Sequence, residues 1–325
     1  MKLSIVTILL SLAWSPLAWA VPAEEVVPAG AWFIKLTETR VTEQEAINRL
    51  KQEGALKNYV VPSEHQPEAT SGEIQRSRSE TEARVTYGLG DQWNLAFRVP
   101  YRQVEQSSSL ANDTTDEAVQ ARLDTLGSET LTGVGDVRLA VLYRPIFSDR
   151  NGLVWAFGMY FPGSSQEVPY LDSSTLAIAE PVKRYLVGLQ YTRYPAFPRS
   201  RFDLAVEVSN ALKGPVELAG GGQGEIYPGS RVVGKLGWLQ ELGALSYGLE
   251  SEYKTQGANR MDGNTLGDKT LRWVYRVHLG FGNLAELEAP GGGWPYRVML
   301  GWERIHIGFN TPTDDVISLS LETFF

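Results

Sequence analysis

Between Thr270 and Phe281 the chain alternates with a period of two. Leu271, Trp273, Tyr275, Val277, Leu279 and Phe281 interleave with Thr270, Arg272, Val274, Arg276 and His278. Successive side chains of an extended strand point to opposite faces, so the pattern predicts a strand with one oily and one polar face. The same parity recurs at 93–102, where Trp93, Leu95, Phe97, Val99 and Tyr101 face away from Asn94, Arg98 and Arg102. It returns at 136–144 and 201–208, and again at the chain's end, where Ile317, Leu319, Leu321, Thr323 and Phe325 oppose Ser318, Ser320 and Glu322.

Twelve segments fit this template: 31–40, 72–88, 92–105, 130–146, 152–162, 174–194, 201–213, 229–240, 244–256, 268–281, 295–305 and 315–325. Their connections alternate in kind. Those at 88–91, 147–152, 195–200, 240–243 and 282–295 are mostly short and turn-like, whereas those at 41–71, 106–129, 163–173, 214–228, 257–267 and 306–314 are mostly longer and polar. Short periplasmic turns, long external loops, an even strand count and both termini on the periplasmic side are the layout of an outer-membrane barrel. The expected fold is therefore all-β: a closed, up-and-down antiparallel transmembrane barrel of about twelve strands.

The N-terminus agrees with export. Lys2, an apolar stretch from Leu3 to Ala13 and the small-x-small ending Ala18-Trp19-Ala20 form a secretory signal pattern, with cleavage expected after Ala20 and the barrel domain occupying 21–325. After it, no segment approaches the roughly 18 consecutive apolar residues of a membrane helix, which leaves a closed barrel as the spanning option. There is no cysteine, so no disulfide framework holds the exported chain.

A soluble periplasmic β-sandwich also shows short alternating strands. Here, however, aromatics flank the expected periplasmic turns: Tyr87 and Trp93, Phe147 and Trp155, Tyr194 and Phe202, Trp238 and Tyr247, Trp294 and Tyr296. Such girdles belong where a barrel meets the lipid headgroups.

If lipid takes the aromatic face, the other face lines a lumen. Its candidate basic residues are Arg84, Arg98, Arg102, Arg138, Arg144, Lys235, Arg272, Arg276 and Arg297. The acidic ones are Glu80, Glu82, Asp136, Asp203, Glu207, Glu250, Glu252, Glu303 and Glu322, and His278 shares that face. A lining of one sign would indicate an ion-selective pore; nine of each sign suggests pairs across the lumen that narrow or close it. Thr42 with Glu45 three residues on forms a capping box, so a short helix is expected at 42–54 in the first external loop, either folded inward as a plug or lying on the rim.

Chemistry is sparse. Three histidines and no cysteine leave few centres for nucleophilic catalysis, metal-ligand spacing is absent, and no cofactor is expected. The glycine runs at 220–224 and 291–293 precede no helix and read as loops. A net charge of −8 gives no support for a nucleic-acid partner.

The stretch TGVGDVRLAVLYRPI at 132–146 has a glycine-rich turn, the pair Gly135-Asp136 and an alternating strand ending in Tyr143-Arg144. It resembles the outer-membrane transporter family named after the MetA pathway of phenol degradation and neighbouring outer-membrane barrel families. TYGLGDQWNLAFRVPY at 86–101 has similar phrasing. The resemblance implies a monomeric barrel that transports hydrophobic or aromatic compounds. The terminal Phe325 likewise resembles the signal by which the barrel-assembly machinery recognises its clients. The expectation is a passive channel for small molecules in the outer membrane of a Gram-negative bacterium, among lipid and lipopolysaccharide. A structural barrel that binds lipopolysaccharide or a partner through its loops is the alternative, and an outer-membrane hydrolase centred on His278 is a second.

Overall fold

The computed structural model describes residues 27–47, 53–54, 59–63, 66–110, 129–148, 151–163, 179–180, 182–194, 200–217, 223–261, 264–266, 269–282, 295–309 and 311–324. The expected signal peptide and Phe325 lie outside them. Twelve long strands form the barrel: β1 (Trp32–Ile47), β2 (Gln66–Gly88), β3 (Trp93–Leu110), β4 (Val137–Phe147), β5 (Asn151–Phe161), β6 (Arg184–Arg193), β7 (Ser200–Ala211), β8 (Arg231–Leu242), β9 (Leu245–Gln256), β10 (Thr270–Gly282), β11 (Tyr296–Phe309) and β12 (Thr311–Phe324). Each pairs antiparallel with its sequence neighbours. The sheet closes because β1 pairs with both β2 and β12, Lys35 lying opposite Arg84 on one side and Glu322 on the other. Closure leaves no barrel strand with an unpaired edge, which the interior of a bilayer requires.

The period-two pattern sets the two faces. Leu249, Leu279, Leu300, Ile317 and Leu319 point outward and are each more than half exposed. Exposed apolar residues recur around the whole circumference, far more than a water-soluble surface carries. Toward the periplasmic turns Trp32 packs on Tyr87, Trp93 on Tyr143 and Trp238 on Tyr247, with ring centroids 4.4, 4.5 and 5.5 Å apart. Near the outer end Trp273 Nε1 donates to Ser251 Oγ at 2.7 Å, so its polar edge is satisfied within the girdle. Trp294, also expected in the periplasmic girdle, lies outside the described residues. The β8–β9 turn is tight, with Gly243 at φ +60°, a left-handed conformation that glycine adopts without strain.

Two expectations need correction. The helix expected at 42–54 is replaced, over its described part, by strand: β1 runs on to Ile47, which pairs with Thr311, and Glu53 and Gly54 pair back onto Ile47 and Ala46. The capping box offers local hydrogen bonds, but here the backbone has a ladder on both sides, because β2 and β12 extend past the membrane with β1. An inward helical plug therefore does not form from Thr42–Ile47. For the same reason the external loop expected at 306–314 is mostly strand, with β11 reaching Phe309 and β12 beginning at Thr311.

The expected strand at 130–146 is interrupted. Glu129–Val134 pairs with the outer part of β3, then Gly135 and Asp136 break the strand before β4 begins. Pro100 of β3 sits at the break and has no N–H to donate, although its carbonyl accepts from Gly135 N at 2.8 Å. Outside the barrel, Gly214–Glu217, Gln223–Tyr227, Asn259–Met261 and Asn264–Leu266 form a small four-stranded sheet from the loops that follow β7 and β9.

Candidate functional site

Inward-facing side chains carry dense charge, arranged in patches along the wall. On β2 and β3, Glu82 takes both Arg84 and Arg98, and Glu80 takes Arg102 at 2.5 Å. On β9 to β11, Glu303 binds Arg272 and Arg276, the latter through Nε at 2.8 Å, while Glu250 holds the far side of Arg276. Lys235 of β8 meets Glu252 of β9 at 2.7 Å. Lys35 reaches Glu322 at 2.6 Å across the closing seam. The longest reach is Arg138 of β4 to Glu207 of β7 at 2.8 Å, where Tyr160 also donates to Glu207 at 3.0 Å.

Most of these pairs join neighbouring strands, so they line the wall instead of bridging the lumen. Register explains this. Inward positions of adjacent strands face each other directly, for example Glu250 with Arg276 and Arg276 with Glu303, and opposite charges there are satisfied laterally. Between the patches lies a cavity of about 400 Å³. Among its lining residues are eight cations (Lys35, Arg84, Arg98, Arg138, Arg231, Lys235, Lys254 and Arg276) and six carboxylates (Glu80, Glu82, Glu207, Glu250, Glu252 and Glu303).

His278 also lines the cavity, beside Gly301, and its charged surroundings are the cations Arg276, Lys35 and Lys235. Among the described residues it has no carboxylate or hydroxyl hydrogen-bond partner of the kind that orients a general base.

The remaining sequence candidates sit around this cavity. Arg102 and Arg272 are held by Glu80 and Glu303 at its margin. Asp136 lies in the strand break and accepts from Glu180 N at 2.8 Å. Asp203 is buried lower in the lumen, accepting from Thr192 Oγ1 at 2.6 Å and Arg201 Nε at 2.9 Å. Arg297 is buried against Glu241 at 3.1 Å, near the β8–β9 turn. Arg144 is at the periplasmic rim, donating to the Asp91 carbonyl at 2.6 Å. A register shift between Tyr143 and Ile146 takes this end of β4 out of simple alternation.

Toward the periplasmic end, the lumen holds an apolar cluster. Val27, Phe33, Leu239 and Met299 pack together inside the barrel, with Val27 N donating to Asn94 Oδ1 at 2.6 Å. The residues just before β1 thus enter the barrel mouth, where Gly30 N bonds the Gly88 carbonyl at 2.8 Å.

No protein-family model matches the sequence, and no curated protein matches it. Among solved structures, an outer membrane channel from Pseudomonas putida F1 superimposes with a TM-score of 0.67 at 14% identity, over 95% of this chain and 100% of that one. With the lipid-facing band already described, the shared fold decides the class. The chain is an outer-membrane β-barrel. Lower scores link the barrel to the transport unit of the autotransporter AIDA-I from Escherichia coli (TM-score 0.45, 9% identity, 95% and 94% covered) and to the CymD monoaromatic hydrocarbon channel (0.39, 10%, 91% and 89%).

Several lumen residues of the barrel were not among the sequence candidates. Lys35, Arg231 and Lys254 have the right parity, but they lie on a short reading of β1 or near the outer strand ends, where the lumen and the loops are hard to tell apart. Arg184 is fully buried, donating to the Ser209 and Gly229 carbonyls at 3.2 and 3.0 Å and to Glu180. Its alternation within RYLVGLQYTR was a usable signal: Tyr185, Val187, Leu189 and Tyr191 are all exposed to lipid, which sends Arg184 inward.

Proposed function

We propose that this chain is a passive channel for small molecules across the outer membrane. The observation that carries the reading is the cavity within the barrel, kept clear because its many charges pair along the wall. The resemblance at 132–146 and the likeness to a barrel named as an outer membrane channel support it. On this reading the chain is a monomer of the transporter family it resembles, exported by its signal peptide. It is delivered to the barrel-assembly machinery by the strand ending at Phe325 and surrounded by lipid and lipopolysaccharide.

The test is single-channel recording of the refolded mature protein in a planar bilayer. Steady unit openings are expected. A silent bilayer, with folding established by heat-modifiable gel mobility, would sink the channel reading in favour of a structural barrel.

The apolar cluster at the periplasmic end sets a second expectation. Leu239→Ala removes a buried side chain that packs with Val27, Phe33 and Met299 inside the lumen. It should cost about 2–5 kcal/mol of stability, as Leu-to-Ala core truncations do, and raise the unit conductance. Unchanged conductance would place the narrowest part of the path elsewhere.

A further inference from the structure

We propose that the outer half of the lumen holds a binding site for a small organic carboxylate, built by Lys254 of β9 and Arg78 of β2. As a statement about what the channel carries it rests on the channel reading, but as a binding site it stands separately.

Lys254 faces inward with Arg272 directly opposite it on β10 and Val233 opposite it on β8. Like charges directly opposed across a ladder repel. Arg231, Arg272 and Arg78 are all close enough to act electrostatically on the Lys254 ammonium, Arg78 from the other side of the barrel. The acids that act on it are committed elsewhere: Glu252 to Lys235, and Glu180 to Arg184 and Arg231. Among the described residues Lys254 makes no ion pair.

Arg78 is the second, independent observation. Its neighbours across β1 and β3 are Val41 and Val104. Its Nε is buried without a hydrogen-bond partner. A buried guanidinium N–H is costly to leave unsatisfied, and a carboxylate is the group its fork geometry matches.

The charge balance favours an anion. The cavity below has eight cations against six carboxylates, an excess of two positive charges that an anionic occupant offsets and a neutral one does not. Lys254 itself lines this cavity, and about 400 Å³ leaves room for an apolar body behind the carboxylate.

The experiment is calorimetric titration of the refolded, detergent-solubilised mature chain with benzoate, benzyl alcohol and inorganic phosphate. Benzoate should bind and benzyl alcohol should not. Lys254→Gln and Arg78→Gln should each weaken benzoate by about tenfold, the loss of one charge-assisted hydrogen bond, while Lys254→Arg retains binding and shows that the position tolerates change. No benzoate binding, binding unaltered in both glutamine variants, or phosphate binding as tightly as benzoate would each overturn the proposal. Reversal potentials in a potassium benzoate gradient separate the two readings. Benzoate binding with a silent bilayer supports the site and removes the channel, and conductance without benzoate binding does the reverse.

Discussion

Replacing Glu303 with glutamine is expected to destabilise the refolded barrel by about 3–5 kcal/mol, the cost of removing one partner from a buried ion pair. Glu303 is 4% exposed and receives two guanidinium groups, from Arg272 and from Arg276. Arg276 keeps Glu250 after the substitution, while Arg272, which faces Lys254 across the ladder, loses the carboxylate that Glu303 supplied. An amide of the same shape fills the space but cannot balance the charge. The measurement is the urea midpoint for unfolding from lipid vesicles, followed by tryptophan fluorescence. Adding Arg272→Gln to Glu303→Gln should return part of the loss, because it removes one of the two positive charges that Glu303 balances; simple additivity of the two substitutions would show that the pair is not coupled. The same experiment on the exposed pair Arg40–Glu38, on the outer face of β1, should shift the midpoint by less than about 1 kcal/mol, as exposed ion pairs do.

What the sequence made legible follows from what alternation can and cannot encode. Parity within a strand is local, so the oily face of β10, from Trp273 to Phe281, and the inward turn of Arg272, Arg276 and His278 were readable one strand at a time. Closure of β1 onto β12 was readable too, because the apolar ladder from Ile317 to Leu321 needs lipid on one side and backbone partners on both edges. Pairing partners were not readable. They depend on register between strands, and a lumen with equal numbers of acids and bases is compatible with pairs across the barrel or along its wall. Register chose the wall for Glu250, Arg276 and Glu303. The extension of β1 through Thr42–Ile47 was hidden for a related reason: its strand state comes from β12 and β2 beside it, while the local signal at Thr42 and Glu45 favours a helix start. Arg144 shows the limit of parity itself, since one register shift near a strand end changes what a counted position faces. Phe33 and Met299 mark another limit. They sit on the inward face of otherwise polar-facing strands, and their apolar company, Leu239 of β8 and Val27 in the barrel mouth, comes from elements that only the folded barrel brings together.

The lipid face itself can be tested against depth. Leu249 and Leu242 are nearly equally exposed, at 54% and 57%, and both project from the outside of the same hairpin. They differ in height. Leu242 is at the end of β8 beside the Gly243 turn, whereas Leu249 lies on β9 between the girdle residues Tyr247 and Tyr253. On a water-exposed surface, arginine at either site would be nearly neutral. In a bilayer, arginine on the lipid face costs about 2–4 kcal/mol near the midplane and about 0–1 kcal/mol near the interface. Leu249→Arg should therefore lower the unfolding free energy from vesicles by the larger amount and Leu242→Arg by the smaller, with both variants refolding to the heat-modifiable form. Val277 of β10 lies directly opposite Leu249 across the ladder and supplies a replicate at the same depth, so Val277→Arg should match Leu249→Arg. Equal small losses at all three positions would mean that this face meets water, and the barrel would then have to be a soluble one. A graded loss that follows height would fix the bilayer against the strands and place the cavity, lined by residues on the inward side of this same wall, within the thickness of the membrane.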